Sequence, residues 1–251
     1  CRNVFLILRG GRGFSRLVEG NNPAYHGDTF RKRKVILGTA IANFGRTLLT
    51  TIHTMSMLRS IGSMAILAGL SALAYAYFFV IARNALGYSL SLALLGLFSF
   101  IVFISLYPRL RAVDENLARL AAGLASIGAL GALLHGGFDL ANAIHPPAGF
   151  NPSIPNPVDP RGLLTFGLTG LGILLISHLL RKSPAYPTLL SWVGYVAGLF
   201  LIEIYLARLM ILDPTHPLLL YPVLIQGFFI GPLWYLWLGM SGRRQPLDQP
   251  A

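Results

Sequence analysis

Residues 89–107 read SLSLALLGLFSFIVFISLY, nineteen positions without a formal charge. A helix rises about 1.5 Å per residue, so the run nearly matches the roughly 30 Å hydrocarbon core of a bilayer. A water-soluble domain would have to bury such a run on every side. The composition argues against that: 54% of the 251 residues are hydrophobic and only 12% are charged, where an ordinary soluble domain carries about 25%. So few charges cannot cover a surface that faces water, and the run is expected to cross a membrane.

The same pattern recurs on both sides of it. Spans are predicted at 64–82, 89–107, 117–144, 162–180, 188–212 and 217–240. Breakers separate them: Pro108 with Arg109 and Arg111 after the second, the Pro/Asn-rich stretch from Pro146 to Pro160, Pro184 and Pro187, and the turn from Asp213 to Pro217. The expected fold is all-α, a polytopic bundle of about six transmembrane helices forming one domain over 55–251.

The formal net charge is +11, and nine Lys/Arg stand against Glu19 and Asp28 in residues 1–54 alone. A basic chain can signal nucleic acid, but basic residues also flank membrane helices on the cytoplasmic side. With the N-terminus inside, Arg59, Arg109, Arg111, Arg119, Arg181, Lys182, Arg243 and Arg244 fall on inner flanks, against Arg83 and Arg161 outside. The expected topology is N-in and C-in, with the bilayer as partner and no nucleic acid. Tyr107, Trp192, Trp234, Tyr235 and Trp237 then fall near inner ends, and Tyr88 and Tyr221 near outer ends, where amphipathic rings belong. Gly194-xxx-Gly198 and Gly227-xxx-Gly231 suggest a close contact between the fifth and sixth helices, and Gly231-Pro232 suggests a kink in the sixth.

Residues 1–54 show no sustained period. They are expected to be a basic, disordered segment or spurious upstream translation, with the start at Met55 or Met57; a lipid-touching cytoplasmic arm and a transit peptide are the alternatives. The one cysteine, Cys1, allows neither an intramolecular disulfide nor a cysteine cluster.

Ionisable groups within a span are functional candidates. His135, Asp139 and Asn142 share one face of the third helix by their i, i+4, i+7 spacing. Glu203 and Arg208 lie on the fifth and Gln226 on the sixth. His135, Glu203 and Gln226 each stand nine residues from a predicted outer end, roughly 13 Å deep. One polar cluster in the outer half is expected, with Asp139 paired to Arg208 and His135 to Glu203. The outer loop 145–161 is read as a solvated connector, with a lid over the cluster as the alternative.

Three functions are open at this point. The first is a non-enzymatic bundle, either an accessory subunit to another membrane protein or a binder of a small ligand. The second is an intramembrane metal-dependent hydrolase using His135, Asp139 and Glu203, with His135 and Asp139 as candidate metal ligands and His145 or His216 reaching in. The third is a proton-coupled carrier in which Glu203 titrates. There is no phosphate loop, dinucleotide fingerprint or nucleophile elbow. No span holds a lysine for a Schiff base, and His135 and His178 are too far apart in depth to sandwich one haem. No cofactor is expected.

The segment Gly231-Pro232-Leu233-Trp234-Tyr235-Leu236-Trp237-Leu238-Gly239, together with His135-Gly136-Gly137-Phe138-Asp139 and Asn142, resembles uncharacterised six-helix bacterial membrane proteins, a domain of unknown function. The resemblance covers about 64–240. It implies a bacterial inner (plasma) membrane location and carries no activity, and residues 1–54 have no counterpart in it.

Overall fold

A peptide group that meets hydrocarbon without a partner is costly, so apolar spans become helices whose backbone bonds are internal. The computed structural model describes residues 61–149, 155–211, 213 and 216–243; the expectations for residues 1–54 lie outside them. Among the described residues six helices are long and apolar enough to cross a membrane: α1 (Gly62–Ile81), α2 (Ala85–Leu110), α3 (Glu115–Ile144), α4 (Pro160–Lys182), α5 (Thr188–Met210) and α6 (Pro217–Ser241). The architecture is that of an all-α, multi-pass membrane protein.

The predicted boundaries fall within four residues of these. The largest difference is at α2, where Asn84 caps the first turn by accepting from the Gly87 N–H at 2.8 Å. Asp114 does the same for α3, accepting from the Leu117 N–H at 2.9 Å. The sequence predicts that Pro108 ends α2; the helix instead continues through it to Leu110. A proline removes one N–H and crowds the carbonyl four residues back, and half a turn from a C-terminus only one bond of the ladder is lost.

Each helix packs on its chain neighbours, and α6 packs back on α1, so the six close into a ring. Lipid tails are as apolar as leucine, so helices associate through close packing of small residues rather than through a hydrophobic drive. α3 shows this most plainly: apart from His135, its buried positions are Ala118, Ala121, Ala125, Gly128, Ala129, Gly131, Ala132 and Gly136. A side-chain carbon at Gly136 would stand 2.5 Å from the Ala93 nitrogen of α2, and one at Gly172 of α4 would stand 2.5 Å from the Ala125 nitrogen of α3. The glycine pairs of α5 and α6 do not join those two helices as predicted. Gly198 faces Gly170 of α4, and Gly227 faces Ala76 of α1; only Gly194 meets α6, at Trp234.

The two halves of the ring differ. At the proximal end, with the turns at 111–114 and 183–187, Phe103, Leu106, Leu110, Ile176, Leu179, Leu180, Leu190 and Leu238 form a packed core. At the distal end, with the turn at 82–84 and the loop before α4, three helices carry π-helical turns: Tyr77–Ile81 ends α1, Leu163–Leu168 lies in the opening of α4 and Gln226–Ile230 interrupts α6. The last directly precedes Gly231-Pro232. π-Turns concentrate at functional sites, and all three here face one cavity.

Close approach at α3 sets a first expectation. Gly136→Leu should destabilise the bundle by about 1–3 kcal/mol through overpacking. Gly137→Ala, where an added carbon meets nothing within 4 Å, should be neutral or stabilising. Unfolding of the two variants in mixed detergent checks this; equal stability would contradict the packing.

Candidate functional site

His135 lies on α3 between Ala132 and Gly136, whose small side chains let α2 and α4 approach. It is nine residues from Ile144, roughly 13 Å along the helix from the distal end. The imidazole is bracketed: Nε2 stands 3.4 Å from Asp139 Oδ2, one turn further on, and Nδ1 stands 3.5 Å from Asp159 Oδ2. Asp159 is not a predicted site residue, yet it is 1% exposed. Its Oδ1 accepts from the Leu164 N–H at 2.8 Å and its Oδ2 from the Thr165 N–H at 2.9 Å. It therefore caps α4, where the helix dipole favours an anion. Burial pushes the Asp159 carboxyl up, but the His135 ring, the Thr165 side chain and the two backbone N–H groups outweigh it and hold the group down at about 2.

The loop before α4 is fastened at a second point. Asn156 donates through Nδ2 to Asp139 Oδ1 at 2.7 Å and to the His135 carbonyl at 3.3 Å, while its Oδ1 accepts from the Val158 N–H at 2.8 Å. Of the described loop residues, 145–149 are exposed as expected of a solvated connector, whereas Asn156 and Asp159 are tied down. They bind the loop to α3 from both sides of His135.

Beneath the loop is a cavity of about 880 Å³ that takes lining residues from all six helices. Such a volume lies within the range of small-molecule sites, about 300–1,000 Å³. On α2 its lining runs from Ala85 to Ser99, roughly 21 Å of helix. Leu92, Leu95, Ile173, Ala197 and Leu201 make most of the walls apolar, and Trp234 closes the deep end. Asp139, Asn142, Asn156, Arg161 and Arg208 put the polar groups at the distal end, with His135 and Gln226 below them.

Of the predicted cluster, His135, Asp139, Asn142, Arg208 and Gln226 do line one cavity. The predicted partners do not hold. Among the described residues Arg208 makes no ion pair with Asp139, and its guanidinium lies 5.3 Å over the Phe166 ring. Glu203 is exposed, away from the cavity, and does not meet His135. Five residues separate Glu203 from Arg208, which turns them about 140° apart on a helix. α5 presents Leu201, Ile204 and Arg208 inward, and Glu203 cannot share that face. Asn142 Nδ2 and Gln226 Oε1 are buried without a hydrogen-bond partner among the described residues.

The remaining histidines stand apart. His145 and His216 are exposed and do not line the cavity; His216 caps α6 by accepting from the Leu218 N–H at 3.3 Å. His178 faces the Tyr195 hydroxyl at 3.3 Å in the proximal half. Among the described residues no group of three or more His, Cys, Asp or Glu side chains is placed to hold a metal ion. Asp139 and Asp159 address opposite nitrogens of one ring, so an ion bound at either nitrogen would meet only one of the two carboxylates.

Sequence reasoning misses Asp159, Asn156, Arg161 and Trp234. Asp159 stands directly before Pro160, three residues ahead of the predicted start of α4 at 162 and close to where an acidic cap belongs, so its signal is present in the sequence. Trp234 is predicted at an interface by counting residues from the helix end, but Gly194 opposite makes room for it inside and it is fully buried (0%). No protein-family model matches the chain, and no curated protein or solved structure matches it.

The Asp159 cap gives a pH dependence of known sign. Its folded value is depressed, so its contribution is full above the ordinary value of 3.8 and is lost as pH falls toward about 2. The wild type should lose thermal stability across that interval. Asp159→Asn should be less stable at neutral pH and flatter across the same interval. Melting curves of both proteins check this; parallel curves would show that the carboxylate does not act as an ionised cap.

Proposed function

We propose that this chain is a multi-pass protein of a bacterial inner membrane that binds a small amphipathic molecule in the distal cavity without transforming it. The cavity carries the reading: its apolar depth and polar distal end suit a molecule with an apolar body and a polar head. The distribution of Arg and Lys supports N-in and C-in topology, which puts the distal end on the outer side.

The other two readings have less support. A hydrolase needs a base or a metal that faces its substrate, while both ring nitrogens of His135 are turned to carboxylates. A carrier titrating at Glu203 needs that group in the path of its cargo, and it is exposed on another face. The bracketed histidine serves better as a fastening for the loop.

The test uses Trp234 as a reporter. Trp192 is half exposed whereas Trp234 is fully buried, so in the full chain carrying Trp192→Phe and Trp237→Phe the remaining emission comes from the cavity floor. A brominated alkyl amphiphile that enters should quench it saturably. Filling the cavity with Ala197→Phe or Ala132→Leu should abolish saturation while the protein still unfolds cooperatively. Trp234 emission indifferent to every brominated amphiphile would sink the binding reading.

A further inference from the structure

The polar end of the cavity carries a charge imbalance. Both acids near it are compensated. Asp139 accepts from Asn156 at 2.7 Å and faces the His135 ring, and Asp159 takes two backbone N–H groups and the other side of that ring. Both arginines that line the cavity are not: among the described residues neither Arg161 nor Arg208 has a carboxylate within 4 Å. Arg161 and Arg208 lie at the distal ends of α4 and α5, where arginines ordinarily reach out to the interface, yet both line the cavity.

Local structure brings the two arginines to one place. The Phe166 ring lies beneath the Arg208 guanidinium. The same ring occupies the space where Gly162, next to Arg161, would carry a side-chain carbon. Arg161 itself is in the left-handed region, φ 62° and ψ 2°, a conformation that a non-glycine residue keeps only where the surroundings impose it. Here the Asp159 cap on one side and Gly162, at φ 80°, on the other hold it at the cavity wall.

Resting on the binding reading above, we infer that the ligand is an amphiphile with an acidic oxygen head, a carboxylate or a phosphate, held by Arg161 and Arg208 while its chain runs between Ile173 and Leu201 toward Trp234. The guanidinium fork matches such heads in shape as well as charge. The unpartnered Asn142 amide is a further donor at the same end.

The experiment compares heads on one chain, using the Trp234-only full-length protein in neutral detergent. The probes are brominated dodecyl phosphate, brominated dodecanoate, brominated dodecyl maltoside and a brominated dodecyl trimethylammonium. The acidic probes should half-quench at about tenfold lower concentration than the maltoside, and the cation should be weakest. Arg208→Gln and Arg161→Gln should each remove most of the preference, and Arg208→Lys, which keeps the charge without the fork, should retain part of it. Vesicles containing a brominated phosphatidic acid separate the two sources of such a head: quenching there shows a bilayer lipid as occupant, and quenching by the dissolved probes alone shows a free amphiphile. Equal quenching by acidic and neutral probes would overturn the head-group inference and leave the binding reading standing. Preference that survives both Arg→Gln changes would overturn the assignment to these arginines. Absence of quenching by every probe would overturn the binding reading itself.

Discussion

Asp159 takes two N–H groups at the start of α4 and faces the inner side of His135, and the distal half of the bundle depends on that carboxylate. Irregular backbone at membrane depth is tolerated only when protein or a cavity covers it. The entry to α4 is highly irregular, with Arg161 and Gly162 both at positive φ and a π-turn directly after them. The Asp159 carboxylate binds amides of that stretch and stands 3.5 Å from His135 Nδ1 of α3. Asn156 repeats the attachment on the other side of the ring. The loop can therefore form a wall of the cavity rather than a solvated bridge over it.

What the sequence conveys here divides by dimension. Position along a helix axis is legible, because hydropathy and breakers report it directly, and all six spans and the common depth of His135 and Gln226 follow. Direction around the axis is less so. Glu203 and Arg208 were both placed by depth, but an angle of about 140° between them means one cavity cannot receive both. Trp234 shows the same limit: counting from the helix end assigns it to an interface, while the glycine opposite on α5 assigns it to the interior. Asp159 and Asn156 were missed for another reason. They lie in a proline-rich stretch without period, and their importance arises only when the chain folds back on α3.

The two halves of the ring use their small residues differently. In the proximal half alanines and glycines let the helices come together until large side chains such as Phe103 and Leu106 fill what remains. In the distal half the same close contacts persist between α2 and α3, at Ser89, Ala93 and Gly136, but the rest of the ring stands open around the cavity. A membrane bundle of this kind has no hydrophobic penalty forcing that space shut, since the surrounding lipid gains nothing from its collapse. Rigid contact on one side of the ring and open volume on the other can coexist.

The π-turns determine which side chains meet in that volume. Gln226 and Trp234 are eight residues apart, which on an unbroken α-helix would set them about 80° apart around the axis. A turn that absorbs one surplus residue reduces the angle to about 20°, so the polar residue of the distal half and the tryptophan of the floor point the same way. The surplus residue thus acts as a phase corrector. In such a helix, gaining or losing a single residue would swing the whole distal segment from interior to lipid with no change of side-chain chemistry. Homologues of this bundle are then to be aligned with single-residue gaps inside their helices, where ordinary practice allows none.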